Sequence, residues 1–265
     1  MRRHRHLYEV VHVKIGGNTV LITGGATGIG LALAGEFLKA RSKVIICART
    51  EEHLREAKRR HPSLHTRLCD ISKEAEREVL YKWAVANFRD LNVLVNNAGI
   101  QRMIDFKKGT SDLLAHRAED GEDEIEVNLR ALIYLTALFT PDLMKQKEAA
   151  IINVSSGLAF HPMAQMPVYC ATKAAVHTFS LVLRQQLEDT PVKVFEFIPP
   201  MVDTNLDKGA RKARGQTYFG ITTGEFVVPA LESFKNDEYE VRVQDPKLAA
   251  MMGDRQDGPS RDRKK

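Results

Sequence analysis

Short β-branched and apolar runs alternate with stretches of helical periodicity along most of the 265 residues. Thr19 to Thr23 reads as a strand, Ile29 to Ala40 as a helix, Lys43 to Ala48 as a second strand, Glu51 to Arg60 as a helix and Leu64 to Cys69 as a third strand. Lys73 to Phe88 carries Val79, Leu80, Trp83 and Ala84 at helical spacing. Val93 to Val95 lacks the polar alternation of a half-exposed strand, which marks burial on both faces. The pattern then predicts a long helix over Glu122 to Lys147 and a strand over Ala150 to Val154. A helix from about Tyr169 to Glu188, a strand over Val192 to Ile198, a helix over Glu225 to Phe234 and a closing strand over Tyr239 to Val243 follow.

Repeated βα units of this kind imply an α/β fold, a doubly wound parallel sheet with right-handed crossovers and helices on both faces. No break divides off a second domain. Residues 18–252 therefore read as one domain, 1–17 as an N-terminal extension, and 253–265, with Gly, Pro and mixed charge, as a disordered charged tail.

The net charge of +5 changes this picture little once it is located. Arg2, Arg3 and Arg5 supply three positive charges, and the segment from Asp254 onward supplies a net two, so the body of the chain is neutral. A nucleic-acid binder carries its basic face on the folded domain, so nucleic acid is not an expected partner. No stretch is apolar for the length of a membrane helix, and Met1 to His6 is basic without the apolar run of a secretory signal. Cys47, Cys69 and Cys170 cannot all pair and lack metal-ligand spacing. Cys47 and Cys69 end strand-like runs as small buried hydrophobes, and a cytoplasmic location is expected; no metal is.

The chemistry lies in four segments. Tyr169 and Lys173 stand four apart on a predicted helix and so share a face. A nearby ammonium favours phenolate and is expected to bring the phenol toward the range of a working acid/base. Ser156 precedes the tyrosine by thirteen positions. Thr23-Gly24-Gly25-Ala26-Thr27-Gly28-Ile29-Gly30 joins a strand to a helix, the setting in which glycines let the backbone approach a pyrophosphate and the helix N-terminus bind it. Asn96-Asn97-Ala98-Gly99 follows the fourth strand.

The end of the second strand bears on cofactor choice. An acid about 20 residues beyond the glycines binds the ribose 2′-hydroxyl of NAD, whereas an arginine accommodates the 2′-phosphate of NADP. Here Ala48 stands in the acid's place and Arg49 follows, which favours NADP over NAD; Arg49 as a simple surface cap of the strand is the alternative. Asp70, with Ile71 beside it, ends the third strand, placed either to reach the adenine or to cap the next helix.

Taken jointly and in order, the Thr-Gly-x-x-x-Gly-x-Gly loop, Asn96-Asn97-Ala98-Gly99, Asn128, Ser156, Tyr169 and Lys173 resemble the short-chain dehydrogenase/reductase family from about Asn18 to Val243. The runs Leu138–Pro141, Ser156–Phe160 and Pro199–Thr204 look like its DltE-type oxidoreductases. The resemblance implies a Rossmann-type fold and NADP-dependent hydride transfer between the nicotinamide and a small-molecule carbonyl or alcohol. Tyr169 is then the general acid/base, Lys173 holds the nicotinamide ribose and favours tyrosinate, Ser156 orients the substrate oxygen, and Asn128 holds a water leading from Lys173 to solvent. Gly24, Thr27, Gly28, Ile29, Gly30, Asn97, Ala98 and Gly99 line the cofactor, and Val202 and Thr204 contact the carboxamide. Pro199-Pro200 departs from the family's usual Pro-Gly. A homodimer or homotetramer through the Glu122–Lys147 and Tyr169–Glu188 helices is implied as well. The rival class is a nucleotide-sensing protein on the same fold without turnover; the complete Asn128, Ser156, Tyr169, Lys173 set argues against it. Substrate walls are expected over Ile100 to Gly121 and Met201 to Thr222. The second carries Lys208, Arg211, Lys212 and Arg214, readable as an anion lid or as the solvated side of a mobile helix.

Overall fold

The apolar runs without polar alternation pair side by side as parallel strands. The computed structural model describes residues 14–114, 123–206, 215, 217 and 220–247. Its strands are β1 (Thr19–Thr23), β2 (Lys43–Ala48), β3 (His65–Leu68), β4 (Leu91–Asn96), β5 (Ala149–Val154), β6 (Val192–Ile198) and β7 (Glu240–Arg242). They form a seven-stranded sheet in the order β3-β2-β1-β4-β5-β6-β7, and every pairing is parallel. Val20 to Ile22, Val44 to Cys47 and Val93 to Val95 are fully buried, because helices cover both faces.

The helices are α1 (Gly28–Lys39), α2 (Glu51–Arg60), α3 (Glu74–Asn87), α4 (Ala131–Leu143), α5 (Pro167–Gln186) and α6 (Thr223–Lys235). On one face of the sheet Leu33 and Phe37 of α1, Leu54 of α2 and Phe226 and Phe234 of α6 pack with Phe195 and Phe197 of β6. On the other, Leu80 of α3, Leu135 and Phe139 of α4 and Leu183 of α5 close over Leu21, Leu94 and Ile151. Chain order reverses at β1, which has β2 on one side and β4 on the other. That reversal opens a crevice at the carboxyl ends of β1 and β4, where ligands bind in open α/β sheets.

Buried amides tie together the elements on the β4 side of the crevice. Asn96 Nδ2 donates to Asn153 Oδ1 at 2.9 Å and to Thr136 Oγ1 at 3.0 Å, and Asn153 Nδ2 donates to Ser180 Oγ at 3.0 Å. One polar chain thus links α4, β4, β5 and α5 through an otherwise apolar layer, with its donors satisfied where water cannot reach.

The expected helix over Glu122 to Lys147 is shorter, running over 124–143, and a π-helical turn at Glu126–Arg130 lies inside it ahead of the regular α-helix Ala131–Leu143. Asn128 lies in that turn, drawn aside by hydrogen bonds to Ile100, and π-turns of this kind occur mostly at functional sites. Beyond Leu143 the chain tightens into shorter bonds, Lys145 N–H to Asp142 O and Gln146 N–H to Leu143 O. Two helices start earlier than expected because their caps lie upstream. Pro167 occupies the first turn of α5, and Thr222 forms a reciprocal capping box with Glu225 at the head of α6.

The glycine loop is packed too closely to accept a methyl group. A Cβ at Gly30 would meet the Gly24 carbonyl oxygen and, at 2.5 Å, Asn97 Nδ2. Gly30→Ala is therefore expected to lower stability by about 1–3 kcal/mol, the usual penalty of overpacking, read as a fall in the urea midpoint at unchanged m-value. An unchanged midpoint would show that the loop relaxes freely.

Candidate active site

Tyr169 and Lys173 lie one turn apart on α5, on its sheet-facing side, only 6% and 4% exposed. Lys173 Nζ donates to the Val154 carbonyl at 2.8 Å, at the end of β5. It also lies 5.7 Å from the centroid of the Tyr169 ring. Ser156, two residues beyond β5, acts on the Tyr169 phenol, and its Oγ accepts from Leu158 N–H at 3.1 Å, which fixes the hydroxyl's position. Ser155 differs: its hydroxyl is buried with no hydrogen-bond partner among the described residues.

The protonation balance reverses one expectation. Burial pushes the Tyr169 phenol up to about 12; the Ser156 hydroxyl opposes this, and Cys170 and Glu124 add to the rise. Lys173 does not bring the phenol down, because its ammonium is itself stripped of water and turned to a backbone carbonyl. Burial lowers Lys173 to about 8, with Glu196 acting in the opposite direction. Desolvation outweighs pair attraction in both groups.

Asn128 Oδ1 accepts from Ile100 N–H at 2.8 Å, while its Nδ2 donates to Ile100 O at 2.8 Å and Thr172 Oγ1 at 3.2 Å. Its side chain thus clamps the loop after β4 onto α5. Between them sits Gly99, where a Cβ would lie 3.2 Å from Asn128 Oδ1 and 3.6 Å from Lys173 Nζ. The glycine lets the loop pass next to the ammonium.

At the nucleotide end, Gly24 and Gly28 take left-handed φ angles of 62° and 55°, conformations that glycine adopts without strain. Thr23 Oγ1 accepts from both Asn97 N–H (3.0 Å) and Ala98 N–H (3.1 Å), and Asn97 Nδ2 donates to the carbonyls of Thr23 and Gly24. Thr27 precedes α1 without capping it by its side chain, so the amides opening the helix at Gly28, Ile29 and Gly30 fit a phosphate. Thr204 packs against Gly28, and Val202 bridges to Ile221, which brings the segment after β6 to the same crevice. Gly157 N–H donates to Pro199 O at 2.9 Å, so the first proline of the pair still serves as an acceptor.

Arg49 is exposed at the end of β2. Asp70 accepts from Ser72 N–H and Oγ at 3.0 and 2.7 Å and faces Lys73 at 3.4 Å. Burial raises its carboxyl, but these partners outweigh that and hold it below its ordinary value. The carboxylate therefore shapes the turn ahead of α3. Ile71 lends its carbonyl to the buried Arg77, Nη1 at 2.6 Å.

Met103, Leu158 and Met166 pack on Tyr169 and Cys170 as an apolar wall, whereas Phe106 and Met163 are exposed. Lys208, Arg211, Lys212 and Arg214 lie outside the described residues, as do the two chain ends. The motifs do not reveal Thr23's double acceptance, Thr172, Glu124 or Glu196. Only Thr23 carried a signal, as the first residue of its loop.

With this geometry in place, comparison with known proteins is decisive. Residues 18–215 match the family model for short chain dehydrogenases. The chain belongs to the short-chain dehydrogenase/reductase family. It is 55% identical over 229 residues to the uncharacterised oxidoreductase DltE of Bacillus subtilis (strain 168), covering 86% of this chain and 89% of that protein. It is 35% identical to the NADP-dependent 3-hydroxy acid dehydrogenase YdfG of Salmonella typhi, over 77% and 82% of the two chains. Among solved structures it is similar to the closed form of serine dehydrogenase complexed with NADP+, with a TM-score of 0.67 and 30% identity over 77% and 84%. The chain is a nicotinamide-dependent dehydrogenase/reductase on a Rossmann-type fold. Among the described residues no helix is long and apolar enough to cross a membrane.

Lys173 is held below its ordinary range, so its burial opposes folding wherever it remains charged. That penalty is complete below about pH 8 and fades as pH rises toward the unfolded value of 10.5. Lys173→Met is thus expected to be more stable than the parent at pH 7, by on the order of 2 kcal/mol after loss of one hydrogen bond. The advantage should shrink between pH 8 and 10.5 in thermal melts; a pH-independent difference would refute the account.

Proposed function

We propose that this protein is an NADP-dependent oxidoreductase in which Tyr169 exchanges a proton with the oxygen of a carbonyl or alcohol substrate. The observation that carries this reading is the buried Ser156–Tyr169–Lys173 group at the mouth of the strand-order reversal. NADP suits the groups present: open amides at the head of α1, left-handed Gly24 and Gly28, and Arg49 directly after Ala48, which stands where an acid would select NAD. The names of the Salmonella YdfG and of the serine dehydrogenase complex both carry NADP.

Bound nicotinamide supplies the hydride in reduction and accepts it in oxidation. The protein's part is positioning and proton transfer. Ser156 fixes the substrate oxygen against Tyr169. With its affinity raised by burial, the phenol is fully protonated at neutral pH and so stands ready as the donor in carbonyl reduction. Lys173 holds the ribose hydroxyls and offers positive charge as the phenolate develops. Asn128 and Gly99 bring the loop after β4 to within reach of Lys173, and Val202 and Thr204 face the carboxamide. Met103, Leu158 and Met166 give the substrate an apolar wall; 3-hydroxy acids, serine, aldehydes and ketones form the first panel to offer it.

The assay is NADPH against NADH oxidation with the aldehydes and ketones, and NADP+ against NAD+ reduction with the 3-hydroxy acids and serine. Turnover should prefer NADPH, fall by about 100-fold or more in Tyr169→Phe, and decline as pH rises through about 8, where Lys173 loses its charge. Arg49→Asp should raise KM for NADPH about tenfold or more while leaving NADH nearly unchanged. Tight NADPH binding without turnover on any substrate would instead favour the sensor class.

The reading extends to a homodimer or homotetramer packed through α4 and α5, whose surfaces leave Ile133 and Val182 exposed. Light scattering should give two or four times the 29.8 kDa chain mass; a monomer at micromolar concentration would rule this out.

A further inference from the structure

One turn beyond Lys173 on α5 stands His177, and its Nδ1 lies 2.7 Å from Glu196 Oε2 on β6. The carboxyl group is completely buried, and its Oε1 has no hydrogen-bond partner among the described residues. A fully buried glutamate among Val194, Phe195, Phe197 and Ile198 is unfavourable unless something uses its charge. It sits in register with Asn153 on one side and Glu240 on the other, and Asn153 directly precedes Val154, whose carbonyl receives Lys173. Lys173, His177 and Ser180 thus form a polar stripe on α5 at helical spacing, meeting Val154, Glu196 and Asn153 in turn.

We infer that Glu196, held by His177, is a positioning residue for the proton-transfer step, a buried counter-charge that keeps Lys173 an ammonium beside Tyr169. This rests on the acid/base reading proposed above and extends it to a residue that touches neither substrate nor cofactor. Glu196 is the group that opposes the loss of Lys173's proton on burial. The Val154 carbonyl orients the ammonium but carries no net charge, so the carboxylate supplies what the carbonyl cannot. His177 anchors the carboxylate and is itself packed edge-on against Phe160 at 4.6 Å. Arg242 covers the other ring contact of Phe160 at 4.0 Å.

The remaining charges in the neighbourhood fit a counter-charge better than a metal centre. His177, Glu196 and Glu240 do bring donor atoms within 4.8 Å of one another. Glu240, however, already faces Arg184 at 3.7 Å and Arg242 at 3.6 Å. Those two arginines supply the positive charge that an ion would bring. Tyr169 lies beside the ammonium, and Cys170 on α5 and Glu124 ahead of the π-turn act on its phenol.

The test reads Lys173 directly. The full chain labelled with 15N-lysine is titrated by NMR, with the Lys173 Nζ signal assigned by its loss in Lys173→Met. Glu196→Gln keeps the shape of the side chain and removes its charge, and should move the Lys173 midpoint down by about one pH unit. The alkaline limb of carbonyl reduction should move with it. His177→Arg, which sets a permanent cation against the carboxylate, should move the midpoint in the same direction and decides the matter alone if Glu196→Gln fails to fold. A midpoint unmoved in every variant that folds overturns the inference, whatever the effect on melting temperature. A shifted midpoint in a protein without turnover supports the counter-charge and counts against the catalytic reading instead.

Discussion

A primary ammonium buried against a single backbone carbonyl is the constraint on which the rest of this molecule depends. Taken from water, Lys173 loses hydration that one hydrogen bond to Val154 restores only in part. A lone lysine in that place would release its proton or find a path outward. It is kept by the shape of the sheet end: β5 delivers the carbonyl, β6 delivers a carboxylate, and the loop after β4 passes over the ammonium at Gly99. The order reversal at β1 brings the nucleotide loop to the same place. The glycine-rich loop and the buried Tyr169–Lys173 pair therefore border one crevice.

The crevice is held at a set width by side chains that act as backbone substitutes. Thr23 accepts two amides from the loop after β4, Asn97 donates to two carbonyls of the loop after β1, and Asn128 satisfies both backbone groups of Ile100. Two loops running side by side cannot pair as strands do, yet their polar groups are partly buried and need partners. Side chains supply them, and in doing so lock the glycine-rich turn to the segment that carries Gly99. The π-turn at Glu126–Arg130 belongs to this arrangement. Asn128 sits within the turn and makes the bonds to Ile100 and Thr172 that join helix, loop and α5.

This division explains what could be read from the chain in advance. The central strands were legible because a parallel sheet covered on both faces demands unbroken apolar runs, and β1, β2 and β6 lie where those runs do. Tyr169, Lys173 and Ser156 were legible because helical spacing and a fixed interval bring them together whatever surrounds them. The π-turn was not, since it answers to Ile100, a residue distant in sequence and silent in pattern. Nor was Glu196, which stands in a run that reads as a plain strand, nor Thr172, which looks like filler between the tyrosine and the lysine. Asp70 was open between two uses; its bonds to Ser72 shape the turn ahead of α3, while the cap position of that helix falls to Lys73.

The expectation that failed is the most instructive. Spacing says that an ammonium lies near a phenol, and from proximity alone the phenol should become more acidic. Burial acts on both groups at once and in opposite directions, leaving Tyr169 more firmly protonated and Lys173 less so. Proximity is a property of the helix, whereas desolvation is a property of the sheet and loops that close over it. The same four-residue spacing on an open helix would give a solvated pair with ordinary affinities. What sets the two affinities apart from that is the depth to which β5, β6 and the Gly99 loop bury the pair.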